Sequence, residues 1–101
     1  MIDIQTEAGS EAGQPSRVLV GGRLDGTTAP ELEQRLMAAI GDGQGKVVID
    51  FSPLEYISSA GLRVILMGAK KTKQGGGAFA ICGLGEVIRN VFQMSGFLSM
   101  I

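Results

Sequence analysis

The stretch that decides the fold runs from Lys46 to Lys73, KVVIDFSPLEYISSAGLRVILMGAKKTK. It opens on Val47-Val48-Ile49, apolar and β-branched, which reads as a strand with both faces covered, Val47 to Phe51. A Pro-containing connection follows. Then Ser58-Ser59 stands directly ahead of an apolar helical pattern that runs to about Thr72. The order predicts two small hydroxyls at a helix start, in solvent, close to the end of a buried strand. A helix start carries unpaired N–H groups and a partial positive charge, so it favours an anion, including a phosphate added later.

Working outward toward the N-terminus, Ile2-Asp3-Ile4-Gln5-Thr6 alternates apolar and polar, as a half-buried strand does. Glu7 to Ser16 is rich in Gly, Ser, Glu and Pro and reads as a connection. Arg17 to Val20 is a second strand, expected to pair with the first as a hairpin. Gly21-Gly22 loosens it, in the manner of a bulge. Thr28-Ala29-Pro30-Glu31 has the form of a capping box, with Leu32, Leu36, Ala39 and Ile40 behind it at helical spacing. Gly41 and Gly43 end that helix.

Within the second helix, Leu62, Ile65, Leu66 and Ala69 form one apolar stripe, and Ala60, Val64 and Met67 form another. One of the two is free either to sit deep in the core or to face a partner. Lys70, Lys71 and Lys73 close the helix, where cations suit the helix dipole. Toward the C-terminus, Ala78 to Cys82 reads as a short buried strand, with Cys82 a small core residue. Gly83 turns the chain into a third helix carrying Leu84, Val87, Ile88, Val91 and Phe92 on one face. Gly96 stops that helix, and the tail from Phe97 to Ile101 has the composition of a last strand. The order β-β-α-β-α-β-α, with a final β left open, predicts an α/β fold: a mixed sheet with helices packed on it.

Composition narrows the function. The chain has 101 residues, the size of one domain spanning 1–101. With 45% hydrophobic and 19% charged residues it is globular, and nine basic against ten acidic residues nearly cancel. That balance argues against nucleic acid as a partner. Met1-Ile2-Asp3 lacks the basic and apolar regions of a signal peptide, and no apolar run approaches the ~18 residues of a membrane span, so a cytoplasmic protein with no direct membrane insertion is expected. Histidine is absent. A Ser-His-Asp hydrolase is thereby excluded whatever Ser59 does. One cysteine and no phosphate loop leave no sign of a metal, a cofactor or an enzyme.

Three segments together resemble the STAS domain, and within it the small anti-sigma factor antagonists. The first is Gly22-Arg23-Leu24-Asp25 ahead of a helix, and the second is the strand-loop-serine-Gly-Leu segment from Val48 to Leu62. The third is Cys82-Gly83-Leu84 leading to Met94-Ser95-Gly96-Phe97. The resemblance covers nearly the whole chain and implies a STAS-like mixed sheet of about four to five strands. It implies a regulatory binding protein that binds an anti-sigma factor with serine-kinase activity, releases a sigma factor, and is switched off by phosphorylation. A PP2C-type phosphatase would restore the serine. The family's usual local sequence, D-S-S-G-L, aligned on Gly61-Leu62, places Ser59 on the acceptor, Ser58 on the usual Asp and Ala60 on the second Ser. The missing carboxylate leaves Ser58 as an alternate acceptor. Asp25, Thr27, Ser58, Ser59, Ala60, Arg63, Val64 and Met67 are the expected partner-binding residues. The bland alternatives are a capping or turn role for Asp25, a capping role for Thr27 and Thr28, and an ordinary N-cap for the serines. Self-association as a weak homodimer stays open. Ile101 falls ahead of the last helix that many members carry, so a short or trimmed product is expected. A second functional alternative is an unphosphorylated STAS subunit of a membrane transport or lipid-trafficking complex.

Overall fold

In the segment from Arg17 to Val20, exposed or half-buried side chains alternate with fully buried ones, as expected of a strand with one face on the core. The computed structural model describes residues 2–7, 15–41 and 45–94. They form β1 (Ile2–Glu7), β2 (Ser16–Leu24), α1 (Ala29–Ile40), β3 (Lys46–Asp50), β4 (Leu54–Ile57), α2 (Ser59–Gln74), β5 (Ala78–Cys82) and α3 (Glu86–Met94). The tail from Ser95 to Ile101, Gly43 and most of the β1–β2 connection lie outside the described residues.

β1 and β2 form the expected antiparallel hairpin, with Ile4 opposite Val20. β3 pairs parallel with β2, and β5 pairs parallel with β3. The sheet order is β1-β2-β3-β5, with β4 alongside the far end of β2. The mixed α/β fold is therefore the one read from the sequence. The strand β4 is the addition. Its four residues fall where the sequence suggested only a connection, because Glu55 and Tyr56 interrupt the apolar alternation and both are exposed. β4 pairs parallel with Gly22–Leu24, and the register shifts between Gly22 and Arg23. The irregularity expected at Gly21-Gly22 is thus real. Gly22 takes φ 83°, and a Cβ on Gly21 would come 3.1 Å from Pro53.

The core gathers Val18, Val20, Leu24, Leu32, Leu36, Ile49, Phe51, Ile65, Ile88 and Phe92, among others, in one cluster. Phe51 and Phe92 meet at 5.8 Å between ring centroids, tilted by 55°. Two expectations about the opposite sheet face need correction. β3 is not buried uniformly: Val48 is half-buried, and next to it Asp50 is buried as one half of an ion pair. β5 is a sheet-edge strand of alternating exposure rather than a buried one, and Cys82 is exposed instead of being a core residue. The reason is the period of two: Phe79 and Ile81 point to the helices, so Ala78, Ala80 and Cys82 point away. In α3, Ile88 and Phe92 are buried, but Val87 is 72% exposed and does not join the packed face.

The capping box at Thr28 is not formed. Thr28 is the N-cap of α1 but makes no side-chain capping bond. Its Oγ1 instead accepts from the Asp25 amide at 2.9 Å and donates to the Arg23 carbonyl at 2.8 Å. The carboxylate of Asp25 takes over the turn, accepting from the Thr27 and Thr28 amides.

Candidate functional site

α2 begins where the sequence placed it. Ser58 is its N-cap, in extended conformation, and Ser58 Oγ accepts from the Gly61 amide at 3.3 Å. Ser59 is the first helical residue, and its side chain is exposed, whereas Ser58 is half-buried. The two neighbouring hydroxyls therefore differ in kind: one is engaged with the helix end, and the other stands in solvent.

Two contacts fix this corner against the sheet. The Ser58 amide donates to the Leu24 carbonyl at 2.8 Å, which brings the end of β2 to the start of α2. Gly61 then packs on Leu24 so tightly that a Cβ there would lie 2.6 Å from Leu24 Cγ. A second glycine, Gly68, does the same two turns later, where a Cβ would lie 2.7 Å from Leu36 Cδ2 on α1. The buried face of α2 is accordingly Gly61, Val64, Ile65, Gly68, Ala69 and Thr72. Thr72 meets its burial cost by donating to the Gly68 carbonyl at 2.9 Å.

That face corrects the two-stripe reading. Val64 is 6% exposed and belongs to the core, so it is withdrawn from the partner-binding set. Counting apolar side chains misses a stripe whose centre is two glycines. Rotating the helix onto Gly61 and Gly68 carries Val64 inward and leaves Ser59, Arg63 and Met67 on the outer face, with Met67 41% exposed. Ala60 is half-buried at the margin and packs against the core.

Asp25 follows directly after the Leu24 carbonyl that Ser58 binds, so it lies on the same rim. Asp25 Oδ1 accepts from Thr27 N at 2.9 Å, Thr27 Oγ1 at 2.6 Å and Thr28 N at 3.2 Å. The Thr27 hydroxyl, and after it the two amides, hold this carboxyl below its ordinary value. Asp25 thus does make the turn bonds expected of a capping carboxylate, and Thr27 serves that turn as a donor. The structure brings Asp25, Thr27, Ser58, Ser59 and Ala60 together at one end of the sheet and sets Arg63 and Met67 along the adjoining helix face. Sequence reasoning missed the neighbouring pair Arg23 and Tyr56, where the guanidinium sits 4.3 Å above the ring centroid. Their opposition across β2 and β4 could be found only once β4 was known to be a strand.

A second polar cluster lies across the sheet from this corner. Asp50 accepts from Arg17 Nη2 at 2.6 Å, Ser52 N at 2.9 Å and Ser52 Oγ at 2.5 Å. The Ser52 hydroxyl first, and Arg17 next, lower its pKa from 3.8 to about 2. Gly83, at φ 73°, passes so close that a Cβ would collide with Asp50 Oδ1 and Ser52 Oγ. This fixes the turn out of β5 and is a structural rather than a reactive arrangement. No group of three or more His, Cys, Asp or Glu that could hold a metal ion occurs among the described residues.

Residues 13–101 match the model of the STAS domain. The chain belongs to the STAS domain family. The BtrV protein of Bordetella bronchiseptica, named as an anti-sigma factor antagonist, is 44% identical to this STAS domain over 79 residues, 78% of this chain and 68% of BtrV. The anti-sigma-B factor antagonist of Staphylococcus aureus is 32% identical over 79 residues, 78% of this chain and 73% of that protein. Among solved structures, an anti-sigma factor antagonist from Mycobacterium paratuberculosis superposes with a TM-score of 0.84 at 29% identity, covering 100% of this chain and 83% of that one. The phosphorylated form of SpoIIAA from Bacillus shares the fold, with a TM-score of 0.74 at 20% identity over 96% of this STAS domain and 86% of SpoIIAA. No helix among the described residues is long and apolar enough to cross a membrane.

Proposed function

We propose that this chain is an anti-sigma factor antagonist that binds an anti-sigma factor with serine-kinase activity and is switched off by phosphorylation of Ser59. It works by binding in the cytoplasm and catalyses nothing itself. The observation that carries this reading is the exposed Ser59 hydroxyl at the first position of α2, beside the Asp25 corner. Ser58 remains the alternate acceptor, but its Oγ is engaged with Gly61 and half-buried. The names of the relatives support the same reading, and SpoIIAA, which has this fold, is known in a phosphorylated form.

The docking surface consists of Asp25, Thr27, Ser58, Ser59, Ala60, Arg63 and Met67. The partner transfers the γ-phosphoryl group of ATP to Ser59 Oγ. The P–O bond to ADP breaks, the new P–O bond forms at the serine, and the hydroxyl proton leaves. The product carries about −1.5 to −2 extra charge and three acceptor oxygens. The start of a helix tolerates that charge, so the fold persists. An interface does not. A dianion at its rim must be desolvated beside the like charge of Asp25, and an unpaired buried charge costs several kcal/mol. A loss of ~3–4 kcal/mol lowers affinity roughly 10²–10³-fold, enough for a switch without refolding. A PP2C-type phosphatase reverses the step.

The test is phosphosite mapping by mass spectrometry after incubation with ATP and an anti-sigma factor kinase from the same organism, for the native chain, Ser58→Ala and Ser59→Ala. The native chain and Ser58→Ala should be modified, and Ser59→Ala should not. Modification at neither serine would overturn the reading.

A further inference from the structure

We propose that Arg63 is the intramolecular partner of the phosphate on Ser59, and that phosphorylation therefore withdraws a cation from the docking face as well as adding an anion. This rests on the phosphorylation reading above. Ser59 and Arg63 are separated by one turn of α2, and both are exposed. Side chains at this spacing stack on a helix surface with Cβ atoms about 5–6 Å apart, and the favoured orientation has the anion N-terminal to the cation.

The surroundings single out Arg63. The first turn of α2 contains no acidic residue, so nothing on the helix start competes with the phosphate for the guanidinium. The Gly61 amide is already engaged by Ser58 Oγ, which removes one of the donors a helix end would offer. Asp25 turns its carboxylate into its own loop, toward Thr27 and Thr28. Arg23 is stacked on Tyr56, and Arg17 is paired with Asp50. The ion pair of Arg17 is the only one among the described residues, so Arg63 has no carboxylate partner there.

Before modification, Arg63 and Met67 present a cation and an apolar side chain on one outer face, a combination suited to a partner surface with a carboxylate beside an apolar pocket. After modification the guanidinium turns one turn back along the helix to the phosphate, and the partner's carboxylate loses its counter-charge.

The test uses the full chain with phosphoserine placed at position 59 by genetic encoding, so that no kinase is needed. The second ionisation of the phosphate is followed by phosphorus NMR for Arg63, Arg63→Lys and Arg63→Gln, with circular dichroism checking that each is folded. A guanidinium at contact stabilises the dianion and lowers its pKa below the ordinary value of about 6. Arg63→Gln should raise it by roughly 0.2–0.4 unit, Arg63→Lys should keep most of the depression, and 1 M salt should erase the difference. Identical titrations for Arg63 and Arg63→Gln would overturn the proposal. Failure of the kinase reading would leave this titration unchanged and show itself only as absent phosphoserine in the enzymatic assay.

Discussion

Leu24 and Gly61 occupy one another's space: a single methyl on the glycine would stand 2.6 Å from Leu24 Cγ and 2.8 Å from Leu24 Cδ2. This contact seats α2 on the end of β2 and so sets where Ser59 emerges. Gly61→Ala should therefore cost about 1–3 kcal/mol, the usual penalty of overpacking, despite the better helix propensity of alanine. In a domain this small that corresponds to a fall in Tm of roughly 4–8 °C per kcal/mol. Urea unfolding measures it, and an unchanged or raised midpoint would contradict the packing described.

The two serines should separate in a stability assay. Ser58→Ala removes the N-cap of α2 and should destabilise by about 1 kcal/mol. Ser59→Ala removes an exposed first-turn hydroxyl and should stay within about 0.5 kcal/mol of the native chain. Equal losses for both would mean that the cap is misassigned.

Phosphomimicry separates binding from folding. Ser59→Glu should leave Tm nearly unchanged, since an acid in the first turn suits the helix dipole. It should weaken binding to the anti-sigma factor by at least tenfold, short of the 10²–10³-fold expected of the dianion. Calorimetric titration against differential scanning calorimetry gives both numbers, and lost stability with intact binding would reverse the argument.

Asp50 gives a pH signature. Its carboxyl has a lower pKa folded than unfolded, about 2 against 3.8. The stabilisation is therefore fully present above about pH 4 and is lost as pH falls toward 2. The amount is on the order of 1–2 kcal/mol, because the half-exposed Arg17 leaves the pair partly screened by solvent. Asp50→Asn should flatten the stability curve between pH 4 and 2, and a slope equal to that of the native chain would assign the acid sensitivity elsewhere. Asp25, also held low by its turn, contributes in the same direction.

Cys82 should be open to reagent in the native state. A maleimide should label it without denaturant, since the thiol projects from the exposed side of an edge strand. Labelling only after unfolding would restore the buried reading.

What the sequence determined by itself was local and periodic. The β-branched run fixed β3, alternation fixed the β1–β2 hairpin, and a serine ahead of a helical pattern fixed the start of α2 to within one residue. Each of these is decided by neighbours along the chain, where turn chemistry and side-chain period act directly. The tertiary structure decided the rest. It made β4 a strand by pairing it with β2, sent Cys82 outward, and took the Thr28 hydroxyl from its cap to the Arg23 carbonyl. It also rotated α2 onto Gly61 and Gly68, which buried Val64 and left Ser59, Arg63 and Met67 outside. The cause is close approach: two backbones meet where side chains are missing, and a glycine announces neither which neighbour will fill its place nor which way the helix will turn to meet it.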